Sequence, residues 1–336
     1  MHILITGGAG YLGGVLVPLL LKRGHRVTVF DKMIFGDEGL KTVNEKITLI
    51  KGDVLHPPND LMHGIDAVIH LAGVSSQAKA SSRSPRYTDL SNHIATEILA
   101  RQAKCDGVRR FILASSCSIY CSYRYTTTSI APLCIETDEI NAVNAYAFSK
   151  RAAEEVLFEL MDSSFQPVCL RKGTLYGFSP KMRYDLVLNS FTKDAFSKRK
   201  ITVSAAGELY RPMIDIHDAA AAYVSAVELP DEKVGGKNFN VVDRNWKLAD
   251  LAVAFTSVLK SEKNIDIEID IKPFDIAYSY QADNRAFCET FSYKPTGNIR
   301  NAILEIWDHL EKGHNYQDQR FYNDPWYAEA LKRDLL

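Results

Sequence analysis

Short apolar runs alternate with longer stretches of helical periodicity over the first half of the chain. Residues 2–7 (HILITG) form an almost unbroken apolar run, the pattern of a strand covered on both faces. Residues 10–24 (GYLGGVLVPLLLKRG) read as a helix that Gly24 ends. HRVTVFD (25–31), ITLIKGD (47–53), DAVIHLAG (66–73) and RRFILASS (109–116) read as further strands, with a long helix over residues 87–107 before the last of these. A helix over residues 145–161 and a strand over 165–173 (FQPVCLRKG) continue the series. Apolar strands alternating with helices predict an α/β fold, a parallel sheet with helices on both faces.

The alternation weakens after residue 171. Residues 181–200 read as a helix and 201–205 as a strand, and 211–229 as a short strand running into a helix. KNFNVV (237–242), KLADLAVAFTSVLKS (247–261) and IDIEIDI (265–271) follow, and residues 298–313 make an amphipathic helix. Residues 121–146 are polar, carry Pro132 and lack a clean period, so they read as one long loop of the functional or disordered kind. No repeat or low-complexity linker divides the chain. The expected organisation is a first domain over 1–170, rejoined by a segment near 212–230, and a second, interleaved domain over 171–336.

Composition narrows the function classes. The 336 residues suffice for a large core, and a net charge of −1 gives no general attraction to nucleic acid or to an anionic membrane. No segment approaches the roughly 20 apolar residues that span a bilayer. The amino terminus lacks the basic start and cleavage site of a signal peptide, so a cytoplasmic location is expected. Cys105, Cys117, Cys121, Cys134, Cys169 and Cys288 form no CxxC pair and join no histidine cluster, which predicts free thiols and no metal site.

The first strand runs directly into TGGAGYLGG. Gly7, Gly10 and Gly13 spell GxxGxxG between a strand and a helix. Such a loop permits a tight turn, close approach of backbone to a pyrophosphate, and helix–strand packing, while the helix start offers N–H groups to phosphate. A plain packing turn has the same glycines. Asp31, at the end of the second strand, favours the dinucleotide reading, because a carboxylate there accepts both hydroxyls of an adenine ribose and repels a 2′-phosphate. NAD is therefore the expected cofactor, with Lys32 as a neighbouring opposite charge. Gly8 and Gly14 have no role in this scheme.

Tyr146 and Lys150 stand four apart at a helix start, which puts both side chains on one face. An ammonium beside a phenol lowers the phenol's pKa and makes it a usable base. Ser115 and Ser116 end the strand 109–116, at the edge of a doubly wound sheet where ligands bind. A serine there can share a substrate hydroxyl with the tyrosine.

TGGAGYLG, Asp31, GDV, HLAG, ASSCSIY and YAFSK occur in the order and spacing of the extended short-chain dehydrogenase/reductase family, and the chain resembles that family over nearly its whole length. The resemblance implies a Rossmann-type doubly wound sheet with a smaller interleaved α/β substrate-binding domain. It also implies the chemistry of NAD-dependent sugar-nucleotide epimerases and dehydratases. Position by position, it makes Ser116, Tyr146 and Lys150 catalytic. It places Gly7, Gly10, Tyr11, Leu12, Gly13, Asp31, Lys32, Asp53, Val54, Leu71, Ala72, Gly73, Tyr146 and Lys150 at the cofactor. His70 is read as structural.

The family's 4,6-dehydratases carry Asp-Glu directly after the catalytic residue, where this chain has Cys117 and Ser118. That departure favours an epimerase, which removes and returns a hydride at one sugar carbon; a dehydrogenase, reductase or atypical dehydratase is the alternative, and a non-catalytic cofactor sensor a more distant one. VCLRKGTLYG resembles the family's substrate segment, with Thr174 in place of its usual Asn, and GFSPKMRYDLVLN and GELYRPMIDIHDAA extend the likeness. These place Ser75, Ser116, Cys117, Thr174, Arg183, Asn189 and Arg211 at a nucleotide-diphosphate sugar. His217 and Asp218 are expected to cap the helix that follows them. The resemblance further implies a homodimer built on the helices around residues 90–104 and 146–161, and no nucleic-acid or membrane partner.

Overall fold

Seven parallel strands make the central sheet of this computed structural model, which describes residues 1–75, 84–120, 131–273, 279–323 and residue 327. The strands that matter here are β1 (His2–Thr6), β2 (Arg26–Asp31), β3 (Thr48–Lys51), β4 (Ala67–His70), β5 (Arg110–Ser116), β6 (Gln166–Lys172), β7 (Thr174–Tyr176), β8 (Tyr210–Asp215), β9 (Lys237–Val241) and β10 (Arg244–Lys247). The order across the central sheet is β9-β6-β5-β4-β1-β2-β3. The chain leaves β1 in one direction through β2 and β3, then resumes on the other side at β4. The reversal opens a crevice at the carboxyl ends of β1 and β4, the usual ligand position in such sheets.

The central strands are apolar because both faces are covered. Ile3, Leu4 and Ile5 of β1 are fully buried, as are Phe111, Ile112 and Leu113 of β5. One face packs on helix α1 (Gly13–Lys22) through Leu16, Val17 and Leu20. The other packs on α2 (Ala95–Cys105) and α3 (Ala145–Glu159) through Leu99, Ala103, Ala153 and Leu157. Two further helices, α4 (Val187–Lys198) and α5 (Ile216–Glu228), follow. Helix α5 returns to pack Ala219, Ala220 and Tyr223 in the same core as α1, and β9 pairs with β6 at the sheet edge. The return to the sheet thus extends to residue 241, beyond the expected 230. Strands β7, β8 and β10 form a separate three-stranded sheet. A second core, with Phe191, Phe255 and Trp307, joins α4 to α6 (Leu248–Lys263) and α7 (Ile299–Glu311).

Some sequence expectations change in detail. The helix expected over 181–200 starts only at Val187, because residues before it bond elsewhere: the Tyr184 N–H donates to the Phe321 carbonyl and Arg183 pairs with Asp185. The helix expected over 87–107 contains a π-helical turn at Leu90–Ile94. Asp215, not His217 or Asp218, caps α5 by accepting the His217 N–H at 2.8 Å. Asp218 instead accepts the N–H groups of Thr296 and Gly297. Of the long loop, residues 121–130 lie outside the described residues, with Cys121 among them, and Leu133–Cys134 pair with Gln281–Ala282. The other five cysteines are free thiols, and the described residues include no group of three His, Cys, Asp or Glu fit to hold a metal. No described helix is long and apolar enough to cross a membrane.

Candidate active site

The glycine loop is shaped by what lies against it. Gly7 has φ +72°, and a Cβ there would stand 2.5 Å from the Ala72 backbone nitrogen, so only glycine lets the loop close on the end of β4. Gly14, unexplained by sequence, leaves room for Ser179, whose hydroxyl donates to the Tyr11 carbonyl at 2.7 Å. The Tyr11 hydroxyl donates to the Gly177 carbonyl and accepts from the Asn189 amide. The loop is therefore bolted to a segment more than 160 residues away in sequence.

Around this loop lies an open cleft. Gly7, Gly10, Tyr11, Leu12 and Gly13 line it, as do Asp31, Lys32, Asp53, Val54, Leu71, Ala72 and Gly73. These residues come from the carboxyl ends of β1 to β4 and the turns after them. Asp31 accepts the N–H groups of Ala9 at 3.0 Å and Met33 at 2.8 Å. Burial nonetheless holds its carboxyl above the ordinary range. Asp53 pairs with Lys32 at 3.0 Å. A long cleft with a glycine-rich turn at a helix start and a carboxylate beyond it fits a dinucleotide.

Ser116, Tyr146 and Lys150 do not line this cleft but adjoin it. Lys150 Nζ is 3.7 Å from where a Cβ on Gly73 would stand, and it lies 6.0 Å from the centre of the Tyr146 ring. The Ser116 hydroxyl is near enough to the Tyr146 phenol to favour its ionised form. All three side chains are nearly buried. Burial and the charge of Lys172 push the Lys150 ammonium down to about 7. The Tyr146 phenol is held above its ordinary value, chiefly by burial, with the nearby Ser116 hydroxyl and the Arg183 charge acting the other way. Of the charges that act on the phenol here, Arg183 lowers it, where Lys150 was expected to.

The residues expected at a substrate divide. Ser75 and Arg183 line the cleft, and the Arg183 guanidinium spans Ser75 Oγ at 2.8 Å and the Asp185 carboxylate at 2.6 Å. Cys117 is fully buried, its thiol donating to the Arg171 carbonyl. Asn189 is fully buried too, its amide spent on Gly177, Tyr11 and Arg183, so it acts through the residues it holds. Thr174 in β7 and Arg211 in β8, the latter over the Tyr280 ring, stand outside the cleft walls. His70 is locked between Thr6 and Thr96 and pushed down to about 3, a neutral structural group as expected.

Sequence reasoning missed several residues. Phe35, Lys181, Asn323 and Tyr327 line the cleft, the last two from the far end of the chain. Asn92, in the π-helical turn, accepts the Val74 N–H and donates to the Val74 carbonyl and to Ser149. Glu154, four residues after Lys150, holds Arg171 and accepts the Ser115 hydroxyl. Its four-residue spacing from Lys150 was a visible signal; the folding back of the carboxyl-terminal segment was not.

Residues 3–241 match the model of the NAD dependent epimerase/dehydratase family. The UDP-glucose 4-epimerase of Haemophilus influenzae is 25% identical over 341 residues, covering 92% of this chain and 97% of that protein. The UDP-glucose 4-epimerase of Klebsiella pneumoniae is 32% identical over 129 residues, 36% of this chain and 92% of that protein. Among solved structures, the UDP-glucuronic acid 4-epimerase from Bacillus cereus with UDP-glucuronic acid and NAD superposes with a TM-score of 0.81 at 21% identity, over 94% of this chain and 100% of that one. The dTDP-glucose 4,6-dehydratase from Streptomyces venezuelae, with NAD bound, gives 0.79 at 17% identity over 97% and 100%. At these identities the superpositions speak for the fold.

Proposed function

The chain belongs to the NAD dependent epimerase/dehydratase family, and from that premise we propose that it is an NAD-dependent epimerase of nucleotide-diphosphate sugars. The observation that carries the reading is the set of side chains at the end of β5. Ser116 lies there near Tyr146, close enough to favour its ionised form, while the next position holds the buried Cys117 thiol and the one after it the buried Ser118. Burial raises the Cys117 thiol further above its ordinary value, and neither residue can serve as an acid–base pair for eliminating water. The site is equipped to take a proton from a sugar hydroxyl and give it back.

NAD, when bound, supplies a ring carbon that accepts a hydride and returns it. The chain's own residues do the rest. The glycine loop and the α1 start hold the diphosphate, and Asp31 holds the adenine ribose. Tyr146 takes the sugar hydroxyl proton, Ser116 orients that hydroxyl, and Lys150 secures the ribose next to the reacting ring. Arg183 and Ser75, bonded to each other in the cleft wall, are the groups this reading assigns to the sugar nucleotide. A homodimer through α2 and α3 belongs to the same reading, supported by Phe148 on α3, a large apolar side chain left 55% exposed.

Incubation with a panel of UDP- and dTDP-sugars, read by NMR and mass spectrometry, tests the function. An epimer of unchanged mass with no build-up of NADH is the expected product. Loss of water would mark a dehydratase, and accumulated NADH a dehydrogenase. Tyr146→Phe is expected to lower turnover at least about 100-fold with NAD binding retained; unchanged turnover would remove the proposed base.

A further inference from the structure

Lys181 is an ammonium buried to 1% exposure in the wall of the cofactor cleft. Its Nζ donates to Asn323 Oδ1 at 2.9 Å and lies 4.2 Å from the centre of the Phe35 ring. An ammonium has three donors, and a neutral amide and a ring face leave its charge without a counter-ion. The neighbouring carboxylates are already committed. Asp185 is paired with Arg183, Asp318 with Arg320, and both oxygens of Asp31 hold backbone N–H groups. Among the described residues, none forms an ion pair with Lys181. Buried charges of this kind are ordinarily paired, and one facing a ligand cleft points to an anion supplied by the ligand.

The position of Lys181 says which anion. Two residues earlier, Ser179 sits against Gly14 and bonds the Tyr11 carbonyl, which anchors this stretch to the α1 start. Asn189 and Tyr11 brace the same stretch from behind. Asp31, at the adenine-ribose end, is close enough for its charge to act on Lys181. Phe35 and Tyr327, packed edge to face with ring centres 5.7 Å apart, line the cleft beside Lys181.

We propose that Lys181, positioned by Asn323 from the carboxyl-terminal segment, is a ligand of the cofactor's diphosphate. It supplies the charge that a glycine loop alone lacks, and it ties cofactor retention to the end of the chain. Asn323 also donates to Ser75, itself an acceptor from Arg183, so one amide sets the place of both basic residues.

The inference rests on the cofactor reading above, and calorimetric titration of the full chain with adenosine, ADP, NAD and UDP separates the two. Wild-type protein is expected to bind ADP and NAD. Lys181→Met is expected to weaken both by about 10- to 100-fold, the loss of one charge-assisted contact to phosphate, with adenosine and UDP affinities unchanged. Lys181→Gln gives the same comparison should Met not be accepted, and Lys181→Arg is expected to restore most of the ADP affinity. Asn323→Leu is expected to weaken ADP in the wild-type background and to add nothing in the Lys181→Met background. ADP affinity left intact by Lys181→Met overturns the proposal alone. Equal losses for adenosine and ADP, or a loss confined to UDP, overturn it as well. Wild-type protein that binds neither ADP nor NAD overturns the cofactor reading and this proposal with it.

Discussion

Arg171 grips Glu154 with two nitrogens, Nε at 3.0 Å from one carboxylate oxygen and Nη2 at 2.7 Å from the other, and both side chains are 3% exposed. Arg171 is on β6 and Glu154 on α3, so the fork clamps the helix bearing Tyr146 and Lys150 onto the sheet. The same carboxylate accepts the hydroxyl of Ser115, the neighbour of Ser116. Burial alone would pull the Arg171 guanidinium down, yet Glu154 and Tyr120 hold it above its ordinary value.

Removing half of such a pair strands the other charge in a dry interior. Glu154→Gln is expected to cost about 3–5 kcal/mol, read as a lowered denaturant midpoint at unchanged slope. Glu154→Leu combined with Arg171→Met, which leaves no charge behind, is expected to cost less than Glu154→Gln alone. A double variant worse than the single would show that the pair is itself a large source of stability.

Asp31 has a double duty with separable consequences. It ties the glycine loop to β2 through the Ala9 N–H, and it faces the cleft. Asp31→Ala is expected to weaken NAD by about tenfold or more and to shrink the preference for NAD over NADP, because the charge that repels a 2′-phosphate is gone. Competitive binding of the two dinucleotides checks this; a selectivity ratio equal to that of wild type would leave Asp31 as a loop brace only.

Stability should depend on pH in a particular direction. Burial pushes Lys150 and Lys181 down to about 7 and Lys172 to about 8, from an ordinary 10.5. Between about pH 7 and 8 the unfolded chain therefore binds more protons than the folded one at these lysines, and stability rises with pH there; above it the buried Cys117, Cys134 and Cys169 thiols, raised from an ordinary 9, keep protons that the unfolded chain gives up. Asp215, pushed up to about 6, acts below it. Thermal melts of cofactor-free protein are expected to show Tm rising from pH 7 to 8, with a smaller rise in Lys150→Met. A Tm that falls over this range would mean that these lysines stay charged and solvated.

The sheet was legible because buried parallel strands write themselves as apolar runs, and the crevice because the glycine loop and Asp31 mark two adjacent strand ends. The residues at Gly7–Gly13, Asp31, Asp53 and Leu71–Gly73 converge for that reason. Contacts made between distant segments left no local pattern. Nothing near Gly14 announces Ser179, and nothing near Lys181 announces Asn323, 142 residues on. Motif position shows which residues are near a site, not which way a side chain turns, so the burial of Asn189 and Cys117 was not legible. The helix expected from residue 181 starts later because tertiary bonds, from the Tyr184 N–H to Phe321 and from Arg183 to Ser75, outweigh local propensity.

Asn92 offers the sharpest test of positioning without contact to the cleft. The chain turns π-helical at Leu90–Ile94, which lets one side chain reach two neighbours. Its Oδ1 accepts the Val74 N–H at 2.8 Å, and its Nδ2 donates to the Val74 carbonyl and Ser149 Oγ, each at 3.0 Å. Ser149 in turn donates to the Tyr146 carbonyl at 2.9 Å, so the strand end after β4 is coupled to the backbone of the proposed base. Asn92→Asp keeps the shape and the acceptor but loses the two donors. It is expected to cost about 1–3 kcal/mol in unfolding free energy. It is also expected to lower kcat by about tenfold, since a displacement of the base on the ångström scale is enough to slow proton transfer. A merely structural role would lower Tm and leave kcat per folded molecule, and its pH profile, where they are in wild type.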